Sequence, residues 1–479
     1  MHKKVAETII NAEKKTPELL KLTIPILIEA ILHMMLGFVD VFMLSRYNDL
    51  AASGVNAANQ VITVLSMVFL VFSSSAGILI SQYLRADQKK NTSRAAALAL
   101  VLHLFSGLLI GLLVFLFSSP MLRFIGAEGT VFEFASDYLT LVGVFLFLQS
   151  LYNAMSVIIR SHGLTKQPMV FATVTNILNT LLNLLLIPGM GVKGAALATV
   201  IGRTAGVVGM ACFLFKKVEK PSIFRLLRPF PNKELKQVFK LGVPAAAETF
   251  LYQLSQLIIT SLVLWHLSEN ELITKTYMSN IAILFLIFSS AVGQAAQIVV
   301  GHLVGAGDFD EAKRQGLRAF RLAAVISGAT VLLALIFRVP IISCFTSNPE
   351  VIRYTEMLFV IELFLELGRA CNLTIIPCLR GSGDVKFPTL WAIFSNLIIG
   401  LGGAHLLAIQ CHMGIYGLWI AMALDEVFRA VVMLIRWNGS QWKNKRITTQ
   451  DNKKLYRNRS SQNAADKFVS ARLARSHAA

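Results

Sequence analysis

The sequence predicts an all-α membrane protein of twelve transmembrane helices, arranged as two six-helix lobes related by pseudo-twofold symmetry. Three observations predict it: an apolar composition, apolar runs of span length along the first 437 residues, and an internal repeat at an offset of about 220 residues. Of the 479 residues, 55% are hydrophobic and 15% charged, with a mean hydropathy of +0.62. Soluble domains carry about 25% charged residues, so the shortfall identifies lipid as the solvent. The net charge of +18 does not indicate nucleic acid, because the basic residues lie in short gaps between apolar runs. Cys212, Cys344, Cys371, Cys378 and Cys411 lie in or beside those runs, with neither metal-ligand spacing nor a disulfide framework. Met1 to Lys15 is polar, and the first apolar run is too long for a signal-peptide core and lacks a small-residue cleavage site.

A helix crosses a bilayer with about 20 apolar residues. On that measure the spans fall at 18–44, 54–84, 95–118, 132–159, 168–188, 192–215, 238–265, 273–303, 318–345, 352–379, 387–410 and 414–437. The one long gap, 216–237, is basic, holds Pro221, Pro229 and Pro231, and is the natural linker between halves. The expected organisation is a cytoplasmic N-terminus (1–17), an N-lobe (18–215), a cytoplasmic linker (216–237), a C-lobe (238–437) and a basic, disordered cytoplasmic tail (438–479). Lysine and arginine fix the orientation: gaps on one side hold 24 of them and those on the other hold six. The positive-inside rule then places both termini in the cytoplasm of a multi-pass inner (plasma) membrane protein. The tail is expected either to touch anionic lipid or to stand solvated.

The repeat is legible residue by residue. Lys21-Leu22-Thr23-Ile24-Pro25 matches Lys240-Leu241-Gly242-Val243-Pro244, and a glutamate follows each proline by four residues, Glu29 and Glu248. Arg160, Gly163, Lys166 and Pro168 match Arg380, Gly383, Lys386 and Pro388; Asn176 matches Asn396; and Gly191-Val192-Lys193-Gly194 matches Gly414-Ile415-Tyr416-Gly417. Six spans is an even number, so both halves insert the same way round, with an axis along the membrane normal. A substrate path between rocking repeats is the usual logic of such transporters.

An ionisable side chain at bilayer depth costs about 2.5–3.5 kcal/mol on insertion scales and usually marks a function. Span 1 carries Glu29, His33 and Asp40, all on one helical stripe one turn beyond Pro25. Burial disfavours the charged carboxylate, so Asp40 is expected either to load and release a proton or to bind Na⁺; the plainer alternative is a hydrogen bond between helices. Glu29 is either a relay or a packing device, since it recurs in the second half, and His33 either a relay or a satisfied polar residue. Span 5 carries Asn176, Asn179 and Asn183; the last two are one turn apart, and Thr199 of span 6 offers a hydroxyl. These oxygens suit Na⁺ or a proton path, or else serve as interhelical hydrogen bonds. In the second half, Glu362, Glu366 and Arg369 share a face of span 10, and Asp425, Glu426 and Arg429 share one of span 12. With Glu248 they form either an acidic surface for a cationic substrate or a self-neutralising network.

The run Gly37-Phe38-Val39-Asp40, the stretch Ser81-Gln82-Tyr83-Leu84, the sequence Leu379-Arg380-Gly381-Ser382-Gly383-Asp384, the segment from Gly191 to Thr199 and the segment from Gly301 to Asp308 resemble the multidrug and toxic compound extrusion (MATE) family. The resemblance spans residues 15–437. It implies an antiporter, not an enzyme, that expels lipophilic, often cationic compounds in exchange for H⁺ or Na⁺ and needs no cofactor beyond that ion. The family's N-lobe cation site lands on Asp40, Asn179, Asn183 and Thr199, the set that would hold any Na⁺. Asn183 stands where some members carry aspartate. The acid of the seventh helix, used in the Na⁺-coupled branch, lands on Glu248. The nearest match to that branch's tenth-helix aspartate is Arg369, with Glu366 one turn away. Both departures point to proton coupling through Asp40.

The rival within transport is a flippase for lipid or polyprenyl-linked substrates on a related two-lobed architecture. A membrane enzyme lacks support: the sequence holds no H-E-x-x-H, no nucleophile elbow and no G-x-x-x-x-G-K-[ST], so ATP hydrolysis by a P-loop is excluded. The expected partners are a small-molecule substrate and the bilayer, without nucleic acid, for a monomeric chain.

Overall fold

The computed structural model describes residues 17–448. Its elements are α1 (Leu19–Ser45), α2 (Asp49–Arg85), α3 (Lys89–Phe124), α4 (Gly129–Val144), α5 (Leu146–Ser161), α6 (Lys166–Met190), α7 (Val192–Phe213), α8 (Asn232–His266), α9 (Glu269–Ala306), α10 (Phe309–Ile336), α11 (Arg338–Ser343), α12 (Pro349–Ser382), α13 (Lys386–Ser395) and α14 (Gly414–Asn438). Among the described residues there is no strand. Among the described residues nine helices are long and apolar enough to cross a membrane, ten when α4 and α5, bent by 48°, count as one span. Large apolar side chains face outward along them, Leu185 74% and Trp265 78% exposed. Only a lipid solvent accommodates apolar surface on that scale.

Local chemistry sets the helix ends. Asn48 caps α2 by accepting from the Leu50 and Ala51 amides. Ser268 and Glu271 form a capping box on α9, and Asn348 caps α12 ahead of Pro349. Such caps satisfy amides that the first helical turn leaves without partners. Pro120 cannot donate to the turn before it, and α3 breaks at Phe117 with φ −125°. Beyond Ser395 the α13 segment continues as π-turns over Asn396–Gly402 and His405–Gln410.

The halves share cores at one end and separate at the other. Leu22 and Ile26 at the start of α1 pack into a core otherwise formed by α9, α10, α12, α14 and Trp442. Reciprocally, Val238, Leu241 and Ala245 at the start of α8 pack into the core of α2, α3, α5, α6 and α7. At the far ends, one core draws only on residues 44–196 and another only on 259–423. The molecule is therefore sealed at the linker end and splayed at the other. The seal depends on close backbone approach: a Cβ on Gly242 would collide with the Val71 carbonyl oxygen, and one on Gly305 with that of Gln82.

The linker lies against α3. Ile223 is buried, Ser93 donates to Glu219 at 2.7 Å, and Arg94 reaches the Leu226 carbonyl and Glu234, each at 3.0 Å. Desolvation in this pocket pushes the Glu219 carboxyl above its ordinary range, against the Ser93 hydrogen bond, which lowers it.

The expected tail requires correction at its beginning. Residues 438–448 are ordered against the helices. Trp442 is buried, stacks on Trp437 at 4.3 Å, and donates to the Trp437 carbonyl at 2.8 Å. Ile447 N donates to Gln82 Oε1 at 3.0 Å, while Gln82 Nε2 donates to the Gly381 carbonyl at 2.8 Å. Arg446 donates to the Gly305 carbonyl at 2.6 Å. One buried glutamine of α2 thus ties this strap and α12 together. The reason is burial of an indole pair, a signal without helical period. Residues 449–479 and 1–16 lie outside the described residues.

Candidate cation-coupling site

Asp40 sits five residues before the end of α1, 1% exposed. Three helices supply its hydrogen bonds. From α6, Asn183 Nδ2 donates to Asp40 Oδ1 at 2.6 Å. From α7, Thr199 Oγ1 donates to Oδ2 at 2.8 Å. From α4, Tyr138 donates to the same Oδ2 at 3.0 Å. Asn179 Nδ2 donates to Thr199 Oγ1 at 3.1 Å, and Asn183 Nδ2 also reaches Asn179 Oδ1 at 3.3 Å. The structure therefore brings together Asp40, Asn179, Asn183 and Thr199, and adds Tyr138. Spacing explains it: Asn179 and Asn183 are one turn apart on α6, and Gly191, at φ +55°, turns the chain so that α7 returns alongside α6. Among the described residues no cation lies within ion-pair distance of Asp40.

The chemistry of the donor set bears on the ion. Oxygen ligands suit a hard cation, and Asn183 Oδ1 is buried without a partner. Both Asp40 oxygens, however, already accept from neutral donors. Na⁺ would displace those donors, whereas a proton needs only one to turn away. Among the described residues no three His, Cys, Asp or Glu side chains converge as metal ligands.

Beside this cluster opens a cavity of about 590 Å³ lined by His33, Phe38, Asn59, Gln149, Asn176 and Arg203, among others. His33 packs edge-on against Tyr152 at 5.6 Å, and Asn176 donates to its own helix at the Ala172 carbonyl; neither joins the Asp40 hydrogen-bond cluster. Sequence reasoning missed Arg203 and Tyr138. Arg203 is a lone guanidinium inside an apolar span, and its field reaches both Asp40 and Tyr138. The rule that flagged buried acids applies to it equally.

The other sequence-derived residues lie elsewhere. Glu29 accepts from Ser156 at 2.8 Å and lies 3.8 Å from Arg160. Its repeat partner Glu248 accepts from Arg380 at 2.7 Å and from Thr389 at 3.3 Å. Glu248 is thus not part of the Asp40 cluster, with which it was grouped as a cation-coupling residue; an arginine occupies it. In the second half, Arg369 pairs with Glu366, lies 3.7 Å from Glu362 and 3.8 Å from Glu426. Arg429 pairs with Asp425 and lies 3.5 Å from Glu426. Trp419 donates to Glu362 and Asn372 to Glu426, each at 2.7 Å, and Ser395 donates to Asp425. Four carboxyls thus meet two guanidiniums, and Glu248, Arg369, Glu426 and Arg429 also line a cavity of about 270 Å³. The repeat also carries no second Asp40: the matching position, fifteen residues beyond Pro244, is Ile259, buried in an apolar core.

Comparison with known proteins identifies the family and the fold. A family model described as MatE matches the chain twice, over residues 25–185 and 244–405. "Uncharacterized transporter YisQ" of Bacillus subtilis (strain 168) is 33% identical over 434 residues, covering 89% of this chain and 95% of that one. "Probable multidrug resistance protein NorM" of Thermotoga maritima is 28% identical over 445 residues, covering 91% and 94%. A crystal structure of MATE in the bent conformation superposes with a TM-score of 0.83 at 20% identity, covering 92% of this chain and 98% of that one. A MOP superfamily transporter from Pyrococcus furiosus, whose binding pocket is described as of reverse polarity, gives 0.81 at 20% identity, covering 89% and 96%. The fold is theirs, and the chain belongs to the MatE family of multidrug and toxic compound extrusion transporters, membrane carriers rather than enzymes.

Proposed function

We propose that this protein is a proton-coupled antiporter that exports small organic molecules by alternating access between two lobes, a reading supported by relatives named "Probable multidrug resistance protein". The single observation that carries the reading is Asp40: a buried carboxyl, without a paired cation, joining α1 to α4, α6 and α7. An ionised Asp40 accepts from Asn183, Thr199 and Tyr138 at once. A proton on Oδ2 makes that oxygen a donor, so Thr199 or Tyr138 must turn away and a contact between α1 and its neighbours is released. Loading the proton and opening the helix interface are then one event. Na⁺ is the second candidate ion, favoured only by the unpartnered Asn183 oxygen.

On this reading twelve segments cross the plasma membrane. Helices α12 and α14 are the two spans that carry Glu362, Glu366, Arg369, Asp425, Glu426 and Arg429, whose charges pair inside the bundle. The basic linker end faces the cytoplasm with both termini, so the splayed end faces outward. The chain works as a monomer, with lipid and cargo its only partners.

The test is efflux of a fluorescent dye from proteoliposomes under separately imposed H⁺ and Na⁺ gradients. Proton coupling predicts transport driven by a pH gradient in the absence of Na⁺. Transport that follows only the Na⁺ gradient at clamped pH overturns it.

A further inference from the structure

Between the lobes lies a second cavity, of about 440 Å³, walled by α2 and α5 on one side and α9 and α12 on the other. Its lining includes Arg160 and Arg380, which occupy equivalent positions of the repeat. The remaining polar lining is neutral: Ser73, Asn153, Ser290 and Gln297 among them, with no aspartate or glutamate. Glu29 and Glu248 stand behind the arginines and hold them, at 3.8 and 2.7 Å. Neither guanidinium is saturated. A guanidinium carries five N–H donors; Arg160 donates one to Gln294 at 3.1 Å, Arg380 donates one to Glu248, and Arg380 Nε is buried with no partner. Hydroxyls and amides are the groups that complete the coordination of a carboxylate gripped by arginine.

We propose that this cavity is a subsite for an oxyanion on the cargo, a carboxylate first, gripped by Arg160 from one lobe and Arg380 from the other. The cargo class is then organic acids and zwitterions, including lipophilic amines that also bear an acid. Because each arginine belongs to a different lobe, a bound carboxylate bridges the lobes that must move apart or together during transport. Glu29 and Glu248 are positioning residues: each fixes its arginine and yields to a competing carboxylate. The inference rests on the export reading for its physiological meaning, but its test is a binding measurement that needs no ion gradient.

The probes are rhodamine 19, a free carboxylic acid, and rhodamine 6G, its ethyl ester, titrated into the detergent-purified full chain and followed by fluorescence anisotropy. The acid is expected to bind about tenfold more tightly or better, the value of a charge-assisted hydrogen bond of about 1.5–3 kcal/mol. Arg160→Gln and Arg380→Gln are each expected to remove that preference by weakening rhodamine 19, with the cationic rhodamine 6G bound at least as tightly as by the wild type because Glu29 or Glu248 then lacks its partner, and Arg380→Lys to retain part of it. Equal affinity of the wild-type protein for acid and ester overturns the proposal without recourse to any variant. Loss of both probes together in folded, monodisperse variants also overturns it, since the arginines would then be structural. Failure of gradient-driven efflux with the acid preference intact would count against the antiport reading instead.

Discussion

Thr199 of α7 and Tyr138 of α4 donate to the same oxygen of Asp40, at 2.8 and 3.0 Å. Two hydroxyls on one carboxylate oxygen hold three helices together only while that oxygen lacks a proton. Asp40→Asn removes the titrating group but keeps a side chain of the same shape, able to accept at its one oxygen. The expected outcome is a protein that folds and inserts normally, with dye efflux in response to a pH jump at the level of empty liposomes. Wild-type rates in this variant would take Asp40 out of the mechanism.

If both hydroxyls serve as the latch, removing one weakens it without abolishing coupling. Tyr138→Phe and Thr199→Val should each lower stability by about 0.5–1.5 kcal/mol, the net value of one hydrogen bond, and retain measurable proton-driven efflux. Thermal unfolding in detergent and the vesicle assay together check this. A Tyr138→Phe protein as inactive as Asp40→Asn would mean that the phenol itself carries the proton.

Much of this architecture was legible because lipid imposes strict rules. A 20-residue apolar run has few alternatives, and the repeated Pro25 and Pro244 register the halves without a structure. Asn179 and Asn183 could be paired in advance because helical spacing puts the two amides on one face, whereas it was the family resemblance that joined Asp40 and Thr199 to them. What sequence could not supply depends on contacts remote along the chain. Nothing local says that the first turns of α1 and α8 are exchanged between cores, or that Glu248 is taken up by Arg380 rather than offered to a coupling ion. Arg203 escaped because attention went to carboxylates, and the strap at 441–448 because one buried indole gives no periodicity.

The charge network of α12 and α14 gives a stability prediction. Arg369 touches three carboxylates that are 1%, 0% and 6% exposed. Breaking a buried ion pair from one side costs about 3–5 kcal/mol, because the remaining charge has no partner. Arg369→Met should therefore destabilise by that amount, and Glu366→Gln on the same background should recover part of it. Unfolding curves for the single and double variants decide. Additive losses would show that Glu366 is not what Arg369 stabilises.

Glu219 yields a prediction with a pH sign. Burial raises its carboxyl in the folded protein, so the folded state holds this proton more tightly than the unfolded one. The resulting contribution is fully present below the unfolded value and is lost as pH rises through the folded value. At pH 7.5 the ionised group is a liability, and Glu219→Gln should raise the melting temperature while still accepting from Ser93. The gain should vanish on acidification. A variant that is less stable at pH 7.5 would show that the Ser93 hydrogen bond to the ionised group outweighs desolvation.

The strap gives the last prediction, because it binds both halves at the sealed end. Trp442 is fully buried against Trp437, and Ile447 and Arg446 reach α2 and α9 respectively. Truncating a buried tryptophan costs about 3–5 kcal/mol, so Trp442→Ala should loosen the strap as well as the core beneath it. Gln82→Leu separates the two effects, since it removes both hydrogen bonds of the bridge yet keeps side-chain volume. A cysteine placed at Ser161, whose carbonyl accepts from His302 across the halves at 2.7 Å, reports on opening of that end. In Gln82→Leu it should react faster with a membrane-impermeant maleimide added from the linker side, while the melting temperature falls only slightly. Unchanged labelling would mean that the glycine contacts of α8 and α9 hold the seal without help from the chain beyond α14.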